Sequence, residues 1–166
     1  MIRFTAHNIS LDAAAGEEVQ PRTISGVAVP YGPEAVVLSG DRVRIEAGAI
    51  PEDGPAPRLL MQHQEDARAV VGMVTERVST DEGMMFTAQI ANTTAGNDLI
   101  ELLKMGALDS VSVGLDVLAE RQDGKTRVIT AANWRELSVV FEPALDRKST
   151  RLNSSHIQKS RMPSSA

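Results

Sequence analysis

Apolar residues alternate with polar ones in one short stretch of this chain after another, and turn residues punctuate the intervals. Only a β-rich fold satisfies that pattern. In 108–116 (LDSVSVGLD) and the next position, Val111, Val113, Leu115 and Val117 alternate with Ser110, Ser112, Gly114 and Asp116, the two-residue period of a strand with one buried face. Residues 2–6 alternate in the same way. The β-pattern of 22–29 stops at Pro30-Tyr31-Gly32-Pro33, and 41–46 (DRVRIE) alternates strictly, with Val43 and Ile45 facing inward. A short apolar run at 58–64 ends in polar residues that include His63. Residues 69–77 and 83–90 read as paired strands around a hairpin at 79–83, where Asp81 and Gly83 supply turn chemistry. Gln122-Asp123-Gly124-Lys125 is a second hairpin turn, followed by strands predicted at 126–130 and 134–141, while 10–21 reads as a loop. One helix is predicted between Thr94 and Gly106, capped by Thr93 or Thr94, with Leu99, Leu102, Leu103 and Met105 as its apolar stripe. Seven or more strands with one clear helix make the fold class α+β, β-rich, a barrel or sandwich.

The end of the chain is of another kind. Residues 146–156 (DRKSTRLNSSH) are the in-frame translation of a common sequencing-adapter oligonucleotide. Residues 157–159 fall where its barcode lies, and 160–166 match its continuation. The expected division is therefore a native domain at 1–145, cut short at its C-terminal end, and a non-native, disordered tail at 146–166. The tail holds five basic residues and one acid, leaving 12 basic against 21 acidic residues in 1–145, a net charge of −9. Such a charge disfavours nucleic acid or an anionic membrane as the main partner. No apolar run approaches the ~20 residues of a membrane span, and Met1-Ile2-Arg3-Phe4 lacks the apolar centre of a signal peptide, so a cytoplasmic protein is expected. Absence of cysteine removes disulfides, thiol nucleophiles and thiolate metal sites together. With His7 and His63 the histidines outside the tail, neither a metal site nor a cofactor is expected.

Three polar residues lie at or near predicted strands: His63, Ser112 and Glu136. A serine on the polar face of a strand is ordinarily solvent-facing, but Gly114, two residues on, lets another backbone or a substrate approach closely. Hydrolysis by serine needs a base to take the hydroxyl proton, for which histidine suits near-neutral pH. It also needs a group that orients the imidazole and stabilises its charged form, a task a carboxylate performs. Glu136 shares its alternation with Trp134 and Ser138, a face that solvation alone would explain. Spacing does not show that the three meet in space.

The surrounding motifs carry a resemblance. They are 26–32 (GVAVPYG), 45–50 (IEAGAI), 60–63 (LMQH), Val71-Gly72, 81–84 (DEGM), 103–108 (LKMGAL), 110–114 (SVSVG), 134–140 (WRELSVV) and Pro143-Ala144. In that order, across nearly all of 22–145, they resemble the prohead (capsid maturation) protease family of tailed bacteriophages, the HK97-type serine peptidases. Ile50 and Leu115 stand where the family usually has an aromatic.

The resemblance implies a serine endopeptidase with Ser112 as nucleophile, His63 as base and Glu136 as the third member. Ser110, on the same strand face, is the nearest rival to Ser112, and the family's serine two before glycine favours Ser112. Backbone amides of Val113 and Gly114 are the oxyanion candidates, with an arginine from a loop as the alternative. The implied fold is a small β-barrel with few helices, similar to the herpesvirus assembly proteases. Helices beyond the one read here would then lie in 10–18 or 33–40, or in the missing end. Implied substrates are scaffolding segments of the major capsid protein or a scaffolding protein, and the protease itself. The implied location is the immature phage capsid in the host cytoplasm, or the bacterial cytoplasm for a prophage copy, and a homo-oligomer is left open. A non-catalytic assembly or scaffolding module on the same fold is the main rival, and an acidic barrel that binds a small ligand is a weaker one.

Overall fold

The computed structural model describes residues 1–7, 9–12, 21–37 and 39–141. The boundary expected at Leu145 and the tail 146–166 lie outside them. The described residues form β1 (Ile2–His7), β2 (Ser10–Asp12), β3 (Thr23–Pro30), β4 (Glu34–Val36), β5 (Arg42–Ile45) and β6 (Arg58–Met61). A 3₁₀ turn (Ala67–Ala69) then leads into β7 (Val70–Ser79), β8 (Gly83–Ile90), α1 (Thr94–Lys104), β9 (Ser110–Asp123) and β10 (Thr126–Val140).

All ten strands join one sheet in the order β1-β9-β10-β6-β7-β8-β3-β2, with β4 on β5 and β5 on β10. The two end strands, β1 and β2, are consecutive in the chain, so the sheet curls into a half-barrel. The Ile9 N–H donates to the Asp109 carbonyl at 3.3 Å across that curl.

β10 is the spine of the sheet. Its first part pairs in parallel with β5 along Thr126–Ile129, its last part in parallel with β6 along Glu136–Val139, and its other edge antiparallel with β9 throughout. The two strands predicted at 126–130 and 134–141 are therefore one. Register shifts around Ala131, rather than a turn, absorb the break in alternation. One row across the sheet, Phe4–Val113–Leu137–Leu59, faces the core. Fully burying each such side chain contributes about 1.5–3 kcal/mol.

The predicted helix is present. The Thr93 hydroxyl accepts from the Gly96 N–H at 3.0 Å as its N-cap. At the other end Gly106 takes φ +77°, the left-handed conformation that glycine adopts without strain. Its buried stripe is Leu99 and Ile100, with Leu103 packed alongside, whereas Leu102 and Met105 are exposed. The stripe thus lies one residue around from the one expected. Residues 10–12, read as loop, extend the sheet as β2. Within 33–40, residues 34–36 form β4 rather than a helix.

Candidate active site

β9 and β10 build the site because residues opposed across an antiparallel pair project to the same face, with Cβ atoms about 4.5–5.5 Å apart. Ser112 opposes Ser138, and Gly114 opposes Glu136. These four occupy the face opposite Val113 and Leu137. That face is not solvated: Ser112 and Ser138 are 0% exposed and Glu136 is 6% exposed.

A β-bulge aims the carboxylate. Trp134 opposes Leu115 and Glu136 opposes Gly114, so Arg135 is the extra residue. By plain alternation Trp134 and Glu136 would share a face. Instead the bulge leaves Trp134 in the core and puts Glu136 on the face that carries Ser112. The indole N–H of Trp134 donates to the Glu136 carbonyl at 2.8 Å across the bulge.

His63 arrives from the end of β6. Leu60 pairs with Ser138 and Met61 with Val139, after which Gln62 and His63 turn the chain with φ of 53° and 59°. Left-handed conformations are uncommon for residues other than glycine. The turn is held by the Gln62 N–H on the Val139 carbonyl at 3.0 Å and the His63 N–H on Ser138 Oγ at 3.0 Å. It delivers the imidazole to Glu136, with His63 Nδ1 2.7 Å from Glu136 Oε2. Both side chains are largely buried, where such a bond is stronger than in water. The second carboxylate oxygen, Oε1, accepts from the Ser138 hydroxyl at 2.8 Å. A carboxylate at Nδ1 selects the tautomer protonated there and leaves Nε2 with a lone pair.

Among the described residues, two buried side-chain polar atoms have no hydrogen-bond partner: His63 Nε2 and Ser112 Oγ. Buried polar atoms are nearly always satisfied, so such exceptions call for a reason. One is a proton acceptor and the other a proton donor. They do not bond to each other here. Ser110 differs, because its hydroxyl donates to Asp109 Oδ1 at 2.8 Å.

Gly114 has a specific task at this site. A Cβ placed on it would stand 2.5 Å from Glu136 Oε2, so what approaches this glycine closely is the carboxylate itself. Val113 and Gly114 also lie between two ladders, opposed by Phe4 and Arg3 on β1 and by Leu137 and Glu136 on β10. Beside Glu136 opens a cleft of about 410 Å³, lined among others by Leu60, Val70, Arg58 and Arg135. Asp66 lines the same cleft, and its carboxyl is held below the usual aspartate range by hydrogen bonds from the Arg68 side chain and backbone. No cluster of His, Asp or Glu among the described residues is arranged to hold a metal ion, and no helix among them is long and apolar enough to cross a membrane.

Sequence reasoning named His63, Ser112 and Glu136. It passed over Ser138, noted only as part of an alternation, and over the bulge at Arg135. The two-residue spacing of Glu136 and Ser138 was the available signal.

The chain matches the sequence profile of the family described as caudovirus prohead serine protease over residues 9–163. Among solved structures, the bacteriophage T4 capsid assembly protease, gp21, aligns with a TM-score of 0.49 and 11% sequence identity, covering 85% of this chain and 99% of that one. No curated protein sequence matches the chain.

Proposed function

This chain belongs to the caudovirus prohead serine protease family, and from that premise we propose that Ser112 is its nucleophile, His63 its general base and Glu136 the group that orients the base. The enzyme is a serine protease of capsid maturation. One observation carries the residue assignment: the buried, unpartnered pair of Ser112 Oγ and His63 Nε2, with Glu136 at the far nitrogen of the imidazole.

In the proposed mechanism Ser112 Oγ attacks the scissile carbonyl carbon as His63 Nε2 takes its proton. The tetrahedral intermediate collapses to an acyl-enzyme as the imidazolium returns that proton to the leaving amine. Water, activated by the same imidazole, then releases the acyl group. The Glu136 carboxylate accepts from Nδ1–H and stabilises the imidazolium. Oxyanion donors contribute roughly 3 kcal/mol each. Strand amides flanked by ladders on both sides are committed to their neighbours, so an arginine from a loop is preferred over Val113 and Gly114 for that role.

The proposed substrates are scaffolding segments of the major capsid protein or a scaffolding protein, cut inside the procapsid in the host cell, and the protease itself. The cleft beside Glu136 supports this by offering a substrate side chain an apolar wall at Leu60 and Val70. The half-barrel supports kinship with the herpesvirus assembly protease fold. The proposed catalytic domain is 1–145, and 146–166, read as adapter-derived, holds none of the residues invoked.

Cleavage of the co-expressed capsid protein tests the assignment. Ser112→Ala should lower turnover by a factor on the order of 10⁶, while Ser110→Ala keeps most of it. Loss with Ser110→Ala and retention with Ser112→Ala would overturn the choice of nucleophile. No cleavage by the wild-type chain would leave the assembly-module reading.

A further inference from the structure

We propose that Ser138 is a positioning residue that locks both halves of the His63–Glu136 pair through one hydroxyl. This rests on the assignment of Ser112, His63 and Glu136 above. Ser138 Oγ donates to Glu136 Oε1 at 2.8 Å and accepts from the His63 backbone N–H at 3.0 Å. Its donor and one acceptor site are thereby both used at a position that is 0% exposed.

Each bond removes a different freedom. With Oε1 on Ser138 and Oε2 on His63 Nδ1, the carboxylate has both oxygens anchored and cannot swing about its terminal torsion, which is otherwise broad. The backbone bond holds the residue that needs holding most. His63 is the second of two consecutive non-glycine residues at positive φ, a conformation that persists only where its surroundings over-determine it. Packing alone does not ask for a hydroxyl here, since neighbouring Leu137 and Val139 are apolar and equally buried. Ser138 also stands directly opposite Ser112, so the hydroxyl that ties the base and its carboxylate together lies on the strand position facing the nucleophile.

The inference predicts a loss in reactivity without a matching loss in binding. The readout is the rate at which Ser112 is labelled by a fluorophosphonate probe, which needs no knowledge of the cleavage sequence, together with kcat and KM on the capsid protein. Ser138→Ala should slow labelling and kcat by about 10²-fold, the scale of a 1 Å misplacement, with KM within a few-fold of wild type. Ser138→Thr, which restores the hydroxyl, should recover most of the rate. In a double-mutant cycle, Ser138→Ala should slow a Glu136→Ala protein by less than it slows the wild type, because of its two bonds only the one to the His63 backbone is then left to lose.

Labelling at the wild-type rate in Ser138→Ala, or a Ser138→Ala loss as large in the Glu136→Ala background as in the wild type, would overturn the role. Ser112→Ala, run in parallel, separates the two levels. If it still takes up the probe, the underlying assignment of the nucleophile fails. If it takes up none while Ser138→Ala labels normally, the positioning role alone fails.

Discussion

Replacing Gly114 by alanine should cost activity more than stability, and the structure sets the scale of both. An added Cβ would stand 2.5 Å from Glu136 Oε2 and 3.2 Å from its Cδ, where ordinary van der Waals contact begins at 3.4 Å. The carboxylate must therefore retreat by roughly 1 Å, a displacement worth about 10²-fold in rate. Met1 Sδ, 2.6 Å from the same Cβ, offers little resistance because the Met1 side chain is exposed and flexible. Nor does the backbone object, since Gly114 is not among the glycines at positive φ. On the stability side two terms oppose each other. Alanine restricts the unfolded chain and contributes about 0.4–1 kcal/mol. Losing the hydrogen bond between His63 and the displaced carboxylate costs about 1.5–3 kcal/mol. The net is a destabilisation of about 0.5–2.6 kcal/mol, which leaves a protein of ordinary stability folded. The assay pairs kcat/KM on the capsid protein with urea unfolding of the same preparation. Gly26→Ala serves as control, because its Cβ would meet nothing nearer than 3.4 Å. A Gly114→Ala enzyme within a few-fold of wild type would show that this contact does not hold the carboxylate in place.

Deleting Arg135 should abolish cleavage, because without the bulge Trp134 and Glu136 fall on one face and either the core loses its indole or the site its carboxylate. Arg135→Ala should keep both, since the exposed ion pair with Asp116 at 3.3 Å contributes at most about 1 kcal/mol; similar activity in the two variants would refute the reasoning. The Glu34 carboxyl is held below the usual glutamate range, first by the Thr126 hydroxyl and then by Arg42. A depressed folded value adds stability that is present above the ordinary carboxylate range and lost as pH falls from that range through the lowered folded value. Thr126→Val should therefore be less stable than wild type at neutral pH, with the gap closing on acidification. Denaturant midpoints across pH check this, and a pH-independent gap would rule it out.

Much of the fold was legible because it rests on local chemistry. Hairpins at 79–83 and 122–125, the Thr93 cap and the period-2 strands depend on residues within a few positions of one another. The family was legible for a similar reason: its ordered short motifs lie along the chain, and the profile match over 9–163 agrees with them. What escaped depends on pairing partners far away. β10 read as two strands because nothing at 129–134 says that β9 will absorb the irregular step. The turn at Gln62 and His63 carries no Gly or Asn, since hydrogen bonds from β10 rather than intrinsic preference hold it. Ser112 read as a residue of the polar face, and it is, but that face is covered.

The site follows from two spacings of two that meet in register. Ser-x-Gly on β9 and Glu-x-Ser on β10 each put their pair on one face, and the antiparallel register crosses them, serine opposite serine and glycine opposite glutamate. The crossing makes both pairs necessary. Gly114 leaves the volume into which Glu136 folds, and Ser138, two residues beyond Glu136, reaches back to its carboxylate and across to the His63 backbone. A slip of β10 by one residue in this register would turn Glu136 and Ser138 toward the core and away from Ser112. The bulge at Arg135 permits both arrangements at once: on its N-terminal side the strand obeys the core's phase, with Trp134 inward, and on its C-terminal side it obeys the site's. The count of residues between Trp134 and Ser138 is thus as much a part of the proposed site as the residues themselves.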